Sequence, residues 1–335
     1  MNKFQQIAEA ISQSQHIVIT AHKSPDGDSI GSSMALYQFC KALGKTASIC
    51  HPDPAPEFLL WLPEVGQVLN MEQHAAEVTE KMTTADLIFS LDYNEPSRLG
   101  DQMQPLLENS SAKKIMVDHH LHPSDFADIT VSESDACSTC QLIFDLIEGS
   151  GNLSVLNAEI GTPIYLGIMT DTGSFRFPSV QARTHEILAK LIQAGVKHYE
   201  VHENVYDTNT VDRLKLRGYA LSEKLDILED NRVAIISLST EELDRFNYQK
   251  GDTEGLVNTA LSVAGMRAAV LFSQSGDIIK ISFRSKGKEN PVNQLAADHF
   301  HGGGHANASG GRFDGGLPEA VALFKSVVNQ YLKPA

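Results

Sequence analysis

Four times in its first half this chain runs through a short aliphatic and β-branched stretch and then breaks into acidic or imidazole side chains. The stretches are residues 16–20, 86–91, 114–117 and 164–169. They empty into His22-Lys23-Ser24-Pro25-Asp26-Gly27-Asp28, Asp92, Asp118-His119-His120 and Asp171 respectively. Runs of this length and composition read as buried strands, the last one equally well as a helix. In an open α/β sheet the carboxyl ends of the strands face one shared crevice, and ligands bind there. The pattern therefore predicts a mostly parallel sheet flanked by helices, with the clusters gathered at one edge.

A gathering of that many hard and borderline donors exceeds what one metal ion needs and suits two divalent cations. Carboxylates with imidazoles fit Mn²⁺ and, with less selectivity, Mg²⁺, Fe²⁺, Co²⁺ or Zn²⁺. No thiol lies in any cluster, which argues against a structural zinc site. Two ions sharing a bridging carboxylate and a bridging water acidify that water and neutralise a phosphoryl group, so the expected reaction is in-line hydrolysis of a phosphate ester. Asp26 and Asp28 could address neighbouring ions, with Gly27 allowing a tight turn between them. Each cluster alone has a plainer reading, as a turn or a helix cap; the four together in one α/β region favour the metal.

The order His-x-x-x-Asp-x-Asp, Asp, Asp-His-His, Asp resembles that of the DHH phosphoesterase superfamily, which includes RecJ nucleases, family II pyrophosphatases, cyclic di-adenylate phosphodiesterases and nanoRNase/pAp phosphatases. The resemblance implies that His22, Asp26 and Asp92 hold one Mn²⁺. It implies that Asp28, Asp92, His119 and Asp171 hold the second, with Asp92 bridging. Asp118 would orient a ligand imidazole through its other nitrogen, and His120 would face the substrate phosphate as donor or general acid.

The remaining sequence narrows this. A chain of 335 residues with 42% hydrophobic and 21% charged content suggests a soluble protein of two domains. The residue ranges expected are 1–200 for the metal domain, 201–230 for a connecting helix, and 231–335 for a smaller mixed-sheet α/β domain. No stretch approaches the roughly 20 apolar residues of a transmembrane helix, and the start lacks a signal-peptide core, so no membrane partner and a cytoplasmic location are expected. The net charge of −15 argues against long duplex DNA as a partner, although residues 262–312 are locally basic. Helices are expected at 29–43, 137–148, 158–169 and 181–193; strands at 46–50, 233–239, 268–272 and 278–284. Cys137-Ser138-Thr139-Cys140 has a redox spacing, but its small residues open an amphipathic helix and packing is the better reading.

In the second half, His301-Gly302-Gly303-Gly304-His305 is the strongest signal. Gly302, Gly303 and Gly304 could present backbone N–H groups to a phosphate, with His305 as a further donor, or form only a flexible turn. Arg284, expected where a strand ends, could grip a phosphate bidentately; Arg98 is a weaker candidate, and for both a surface arginine is the alternative. The segment resembles the Gly-Gly-Gly-His signature of the small domain accompanying RecJ-like DHH proteins, which implies capture of the substrate's nucleotide end across a cleft from the metals. His301 stands where many relatives have glycine, which bears on the flexibility of that loop. The whole resembles a nanoRNase/pAp phosphatase: a Mn²⁺-dependent enzyme, with Mg²⁺ or Co²⁺ as substitutes, acting on short RNA oligonucleotides and on pAp (3′-phosphoadenosine 5′-phosphate). The alternatives are a phosphodiesterase for cyclic or linear dinucleotides and a nucleotide sensor without turnover. A homodimer is left open.

Overall fold

A computed structural model describes residues 2–332; Met1 and residues 333–335, which end the expected domain ranges, lie outside the described residues. The described chain divides into two compact units, one ending at Thr208 and one starting at Asn209.

The first unit has the strands β1 (Ile17–Ala21), β2 (Ala47–His51), β3 (Val68–Asn70), β4 (Leu87–Leu91), β5 (Lys113–Asp118) and β6 (Ile129–Ser132). Its helices are α1 (Lys3–Gln13), α2 (Gly27–Ala42), α3 (Ala75–Thr84), α4 (Gly100–Asn109), α5 (Thr139–Gly149), α6 (Ala158–Asp171), α7 (Ala182–Gln193) and α8 (His198–Tyr206). The strands lie in the order β3-β2-β1-β4-β5-β6, with every pairing parallel. Parallel strands covered on both faces read as continuous apolar runs, and β1 and β4 are buried at every position. Alternate side chains feed two cores. Ile17, Ile19, Leu87 and Phe89 join one with α1, α2, α5 and α6, while Val18 and Ile88 join the other with α3 and α4. Each such side chain contributes about 1.5–3 kcal/mol on burial. The ambiguous run at 164–169 is helix α6.

Two helices approach closely because they lack side chains where they cross. A Cβ on Gly31 of α2 would stand 2.5 Å from Pro163 O; one on Gly167 of α6 would stand 2.2 Å from Cys140 Sγ and 2.7 Å from Asp28 Oδ1. Gly27 belongs to this contact rather than to a flexible turn. It is the first residue of α2, and a Cβ there would meet Thr170 Oγ1 at 2.3 Å.

The second unit begins with α9 (Val211–Glu223) and continues through β7 (Leu225–Leu228), β8 (Val233–Leu238), α10 (Thr240–Arg245), α11 (Leu256–Leu261), β9 (Ala268–Ser275), β10 (Ile278–Ser285), α12 (Asn293–Phe300), β11 (Gly303–His305), β12 (Ala308–Asp314) and α13 (Leu317–Val327). Its sheet runs β11-β12-β10-β9-β8-β7 and is mixed, only β8 and β9 being parallel. Of the expected connecting segment, residues 201–206 lie in α8 of the first unit, and the rest includes helix α9 and edge strand β7 of the second, where Leu216 and Ala220 of α9 pack with Ala234 and Ile236 of β8. The helix pattern at 211–223 was readable, but residues 225–228 have no turn residue before them to announce a strand.

Candidate metal centre

The strand order reverses between β1 and β4, and the residues just past their C-terminal ends are His22 and Asp92. A reversal of this kind opens a crevice at the carboxyl edge of the sheet. Asp118 is the last residue of the next strand, β5, and His119 and His120 follow it. Asp26 caps α2, accepting from the N–H groups of Asp28 and Ser29 at 3.0 Å each, while Asp28 lies in the first turn. Asp171 comes from a helix instead, as the final residue of α6. The α2–α6 crossing brings it in.

These residues meet. Three groups, His22/Asp26/Asp92, Asp28/His119/Asp171 and Asp92/His119/His120, each have ligand atoms within 4.8 Å of one another. Asp92 stands in the middle, its Oδ2 3.4 Å from His22 Nε2 and its Oδ1 3.6 Å from His119 Nε2. It adopts a left-handed φ of 62°, which aspartate tolerates better than most residues.

The imidazoles are fixed from behind. His22 Nδ1 lies 2.8 Å from Lys23 O and His119 Nδ1 3.3 Å from Ala136 O. A carbonyl only accepts, so Nδ1 carries a hydrogen in both rings, and in the neutral ring Nε2 presents a lone pair. Each lone pair faces carboxylate oxygens: Asp26 at 3.8 Å for His22, and Asp171 at 3.4 Å and Asp28 at 3.8 Å for His119. A cation between them would satisfy both sets of acceptors at once. The donor set, carboxylates with neutral imidazoles and no thiolate, fits a hard or borderline divalent metal.

Burial is severe. Asp28 and Asp92 are 1% and 2% exposed. Burial first, and then the neighbouring Asp28 and Asp26 carboxylates, push the Asp92 and Asp171 carboxyls well above the usual range. Asp28 is stabilised by the N-terminus of α5: its Oδ2 accepts from Thr139 N at 2.6 Å and its Oδ1 from Cys140 N at 2.9 Å. A helix start is where a carboxylate is best tolerated. Thr139 also donates through Oγ1 to Asp92 Oδ1 at 3.0 Å. Thr139 is a positioning residue that sequence reading missed. Ser138-Thr139 was legible as a helix start, but not the carboxylate arriving from 111 residues away. Asp53 was missed too; its Oδ2 accepts from Ser24 N at 2.6 Å and holds the loop between His22 and Asp26.

One contact differs from expectation. Asp118 Oδ1 accepts from Nδ1 of His120 at 2.7 Å, so it orients His120 rather than the ligand candidate His119, whose Nδ1 has the Ala136 carbonyl. Residues two apart at a strand end lie on the same side, which accounts for the pairing. The cysteines are all buried. Burial pushes the Cys137 thiol up to about 11, and Cys140 fills the space between Gly31 and Gly167, so the Cys-x-x-Cys spacing serves packing.

Arg98 lies in the short turn after Asp92, its side chain exposed and its carbonyl accepting from Lys23 N at 2.8 Å. In the second unit, Arg284 is the penultimate residue of β10, half-buried, with Nη1 donating to Phe283 O at 2.9 Å. Burial holds its guanidinium below the ordinary arginine range, against the pull of Glu254. The glycine motif is a hairpin arm. Gly303, Gly304 and His305 pair with Gly310, Ser309 and Ala308. Gly302 N–H donates to Ala296 O at 3.0 Å, so that amide is not offered to a phosphate; a Cβ on Gly302 would meet Gly310 O at 2.0 Å. Gly303 has open space around it. His305 is exposed, and its carbonyl accepts from Ser309 Oγ at 2.8 Å. His301 takes a left-handed φ of 45° at the end of α12, where the amides of His301 and Gly302 both reach Ala296 O, a helix termination that favours glycine at this position.

The family model described as DHH family, N-terminal domain, matches residues 16–168, and the DHHA1 domain model matches residues 230–334. The chain is similar to the bifunctional oligoribonuclease and PAP phosphatase NrnA of Bacillus subtilis, 29% identical over 91% of each chain. Its likeness to the protein of the same name from Thermus thermophilus is 31% identity over 89% of this chain and 84% of that one. Among solved structures, an exopolyphosphatase-related protein from Bacteroides fragilis is 38% identical, with a TM-score of 0.95 over 98% of this chain and 96% of that chain. Among the described residues no helix is long and apolar enough to cross a membrane.

Proposed function

Because this chain belongs to the DHH family of phosphoesterases, we propose that it hydrolyses very short oligoribonucleotides to 5′-mononucleotides and pAp to AMP and phosphate. The observation that carries the reading is the convergence of His22, Asp26, Asp28, Asp92, His119 and Asp171 with both imidazole lone pairs turned on carboxylate oxygens. His22, Asp26 and Asp92 would hold one Mn²⁺, and Asp28, Asp92, His119 and Asp171 a second. Bound there, two divalent cations lower the pKa of water and neutralise phosphoryl charge.

The protein's own groups then have defined tasks. Thr139 and the start of α5 hold Asp28 and Asp92 in place. His120, oriented by Asp118, would hand a proton to the departing oxygen. In both substrates the same bond breaks: water oxygen adds to phosphorus, and the ribose 3′-oxygen leaves and takes up a proton. One site therefore serves both. Arg284, Gly303, Gly304, His305 and, less strongly, Arg98 are the proposed substrate contacts. Arg284 supports this, being a half-buried cation whose hydrogen-bond acceptor is a backbone carbonyl.

The test is product formation from pAp and from a two-to-five-nucleotide RNA series, with and without Mn²⁺, beside an Asp92→Ala variant. Mn²⁺-dependent release of phosphate and mononucleotides is expected, with a loss of at least about a thousandfold in the variant. Cleavage of a cyclic dinucleotide or polyphosphate instead would keep the centre and discard these substrates. Two bound metals with no turnover would point to a sensor.

A further inference from the structure

Asp171 ends α6, and the residues that follow it form a loop held in an unusual shape. Gly173, Ser174 and Phe175 have successive positive φ angles of 56°, 61° and 66°, a left-handed run that L side chains resist. Thr172, fully buried, holds it. Thr172 Oγ1 donates to Ile168 O at 2.6 Å and accepts from Phe175 N at 2.9 Å, and Thr172 O accepts from the amides of Arg176 and Phe177 at 3.0 and 3.1 Å. Phe175 is anchored in a ring cluster, 5.6 Å from Tyr165 and 6.1 Å from His202 between centroids.

Phe177 is treated differently. It stays 41% exposed, its ring laid over the Gly173 backbone so that a Cβ on Gly173 would stand 2.5 Å from Cζ. Exposed Arg176 beside it is tethered by Nε to Gly173 O at 2.8 Å. The charge of Arg176 is felt at Tyr206, whose phenol burial pushes up and the guanidinium draws partly back. A lone exposed phenylalanine is ordinary on a protein surface. Here, though, a left-handed run carries a cation and an aromatic ring five and six residues beyond an acid of the metal centre, and the contact with Gly173 leaves Phe177 exposed where Phe175 is packed.

We propose that Phe177, with Arg176 beside it, is a nucleobase-binding site, on which the base of the nucleotide at the metal centre stacks. The inference rests on the nucleotide-hydrolase reading above. Stacking on one aromatic face tolerates every base, because each has a π face. It also separates nucleotides from inorganic polyphosphate, which has none, so the loop would set substrate class without setting sequence.

The experiment compares kcat/KM for pAp with that for ribose 3,5-bisphosphate, the same substrate without its base, on the full chain with Mn²⁺. Wild type should prefer pAp by about tenfold, as one base–aromatic stack provides. Phe177→Ala should bring the ratio towards one, while Phe177→Tyr should keep it. A separate reading comes from Phe177→Trp, whose emission AMP should quench and ribose 5-phosphate should not, whether or not the alanine variant folds. A ratio unchanged in Phe177→Ala, or a loss shared equally by both substrates, would overturn the base site while leaving the phosphoesterase standing. A wild type that cleaves no nucleotide would remove the function proposed above, and this site with it.

Discussion

His22 and His119 differ from His51 in what their second nitrogen meets. The first two rest Nδ1 on a backbone carbonyl and aim Nε2 at carboxylates. His51, fully buried at the end of β2, has Nε2 2.9 Å from Ser33 Oγ and an Nδ1 with no hydrogen-bond partner among the described residues. Burial first, and the nearby His22 second, lower its pKa from 6.5 to about 3. Between those values the unfolded chain binds a proton that the folded one does not, so stability is complete above the ordinary histidine value and is lost as pH falls towards 3. At 1.36 kcal/mol per unit this removes about 3 kcal/mol by pH 4. A His51→Asn variant should therefore show a flatter dependence of melting temperature on pH between 6.5 and 4 than wild type; parallel curves would clear His51 of the role. His301 offers a second residue-level prediction. Its left-handed φ costs about 1–2 kcal/mol, partly offset by the greater chain entropy of glycine. Denaturant titration of His301→Gly should give a gain of about 1 kcal/mol, and a loss would mean the imidazole makes a contact worth more than the strain.

At the scale of elements, the long periodic pieces were legible. The helices expected at 29–43 and 181–193 are α2 and α7 within a residue or two: α7 carries a continuous apolar stripe, while α2, buried on nearly every side, is announced by the Asp26 cap and the small residues at its start. The strands before His22 and Asp92 were readable as apolar runs. Short edge strands were not: β3 and β7 hold three and four residues, too few for a period to show, and their pairing depends on neighbours distant in sequence. The glycine motif hid a hairpin for the same reason, since Gly302 is explained by the close backbone of Gly310, which no local pattern announces. Helix crossing was equally invisible. Gly167→Ala should place a methyl against Cys140 and Asp28, costing about 1–3 kcal/mol from overpacking. Activity should fall further than stability, because Asp28 and the α6 segment leading to Asp171 are what must move. Wild-type turnover in a stable Gly167→Ala protein would show that the crossing has slack.

For the whole molecule, which acidic and imidazole residues converge was legible and what holds them was not. The six metal-ligand candidates could be named from the resemblance in motif order and do converge, whereas the α5 helix start beneath Asp28 and the Asp118–His120 pair belong to the three-dimensional structure alone. All of these donors lie between residues 22 and 171, in the first unit. Mn²⁺ at 100 times its Kd should stabilise that unit by about 2.7 kcal/mol, seen as slowed hydrogen exchange in β1, β4 and β5. Asp92→Ala should abolish the slowing, and slowing of equal size in that variant would place the ion elsewhere.

The route by which Asp171 reaches the centre has a consequence in time. Three clusters hang from adjacent strands, but the fourth arrives on α6 and is seated only when Gly167 docks against α5 and α2. Asp28 likewise waits for amides 111 and 112 residues further along the chain. Closing loops of that length comes late in folding, after local structure has formed. A nascent chain on the ribosome would own scattered carboxylates and no chelate. On this reading the group of Asp28, His119 and Asp171 is completed only in the folded unit, so chelators added during refolding should leave the refolding rate unchanged.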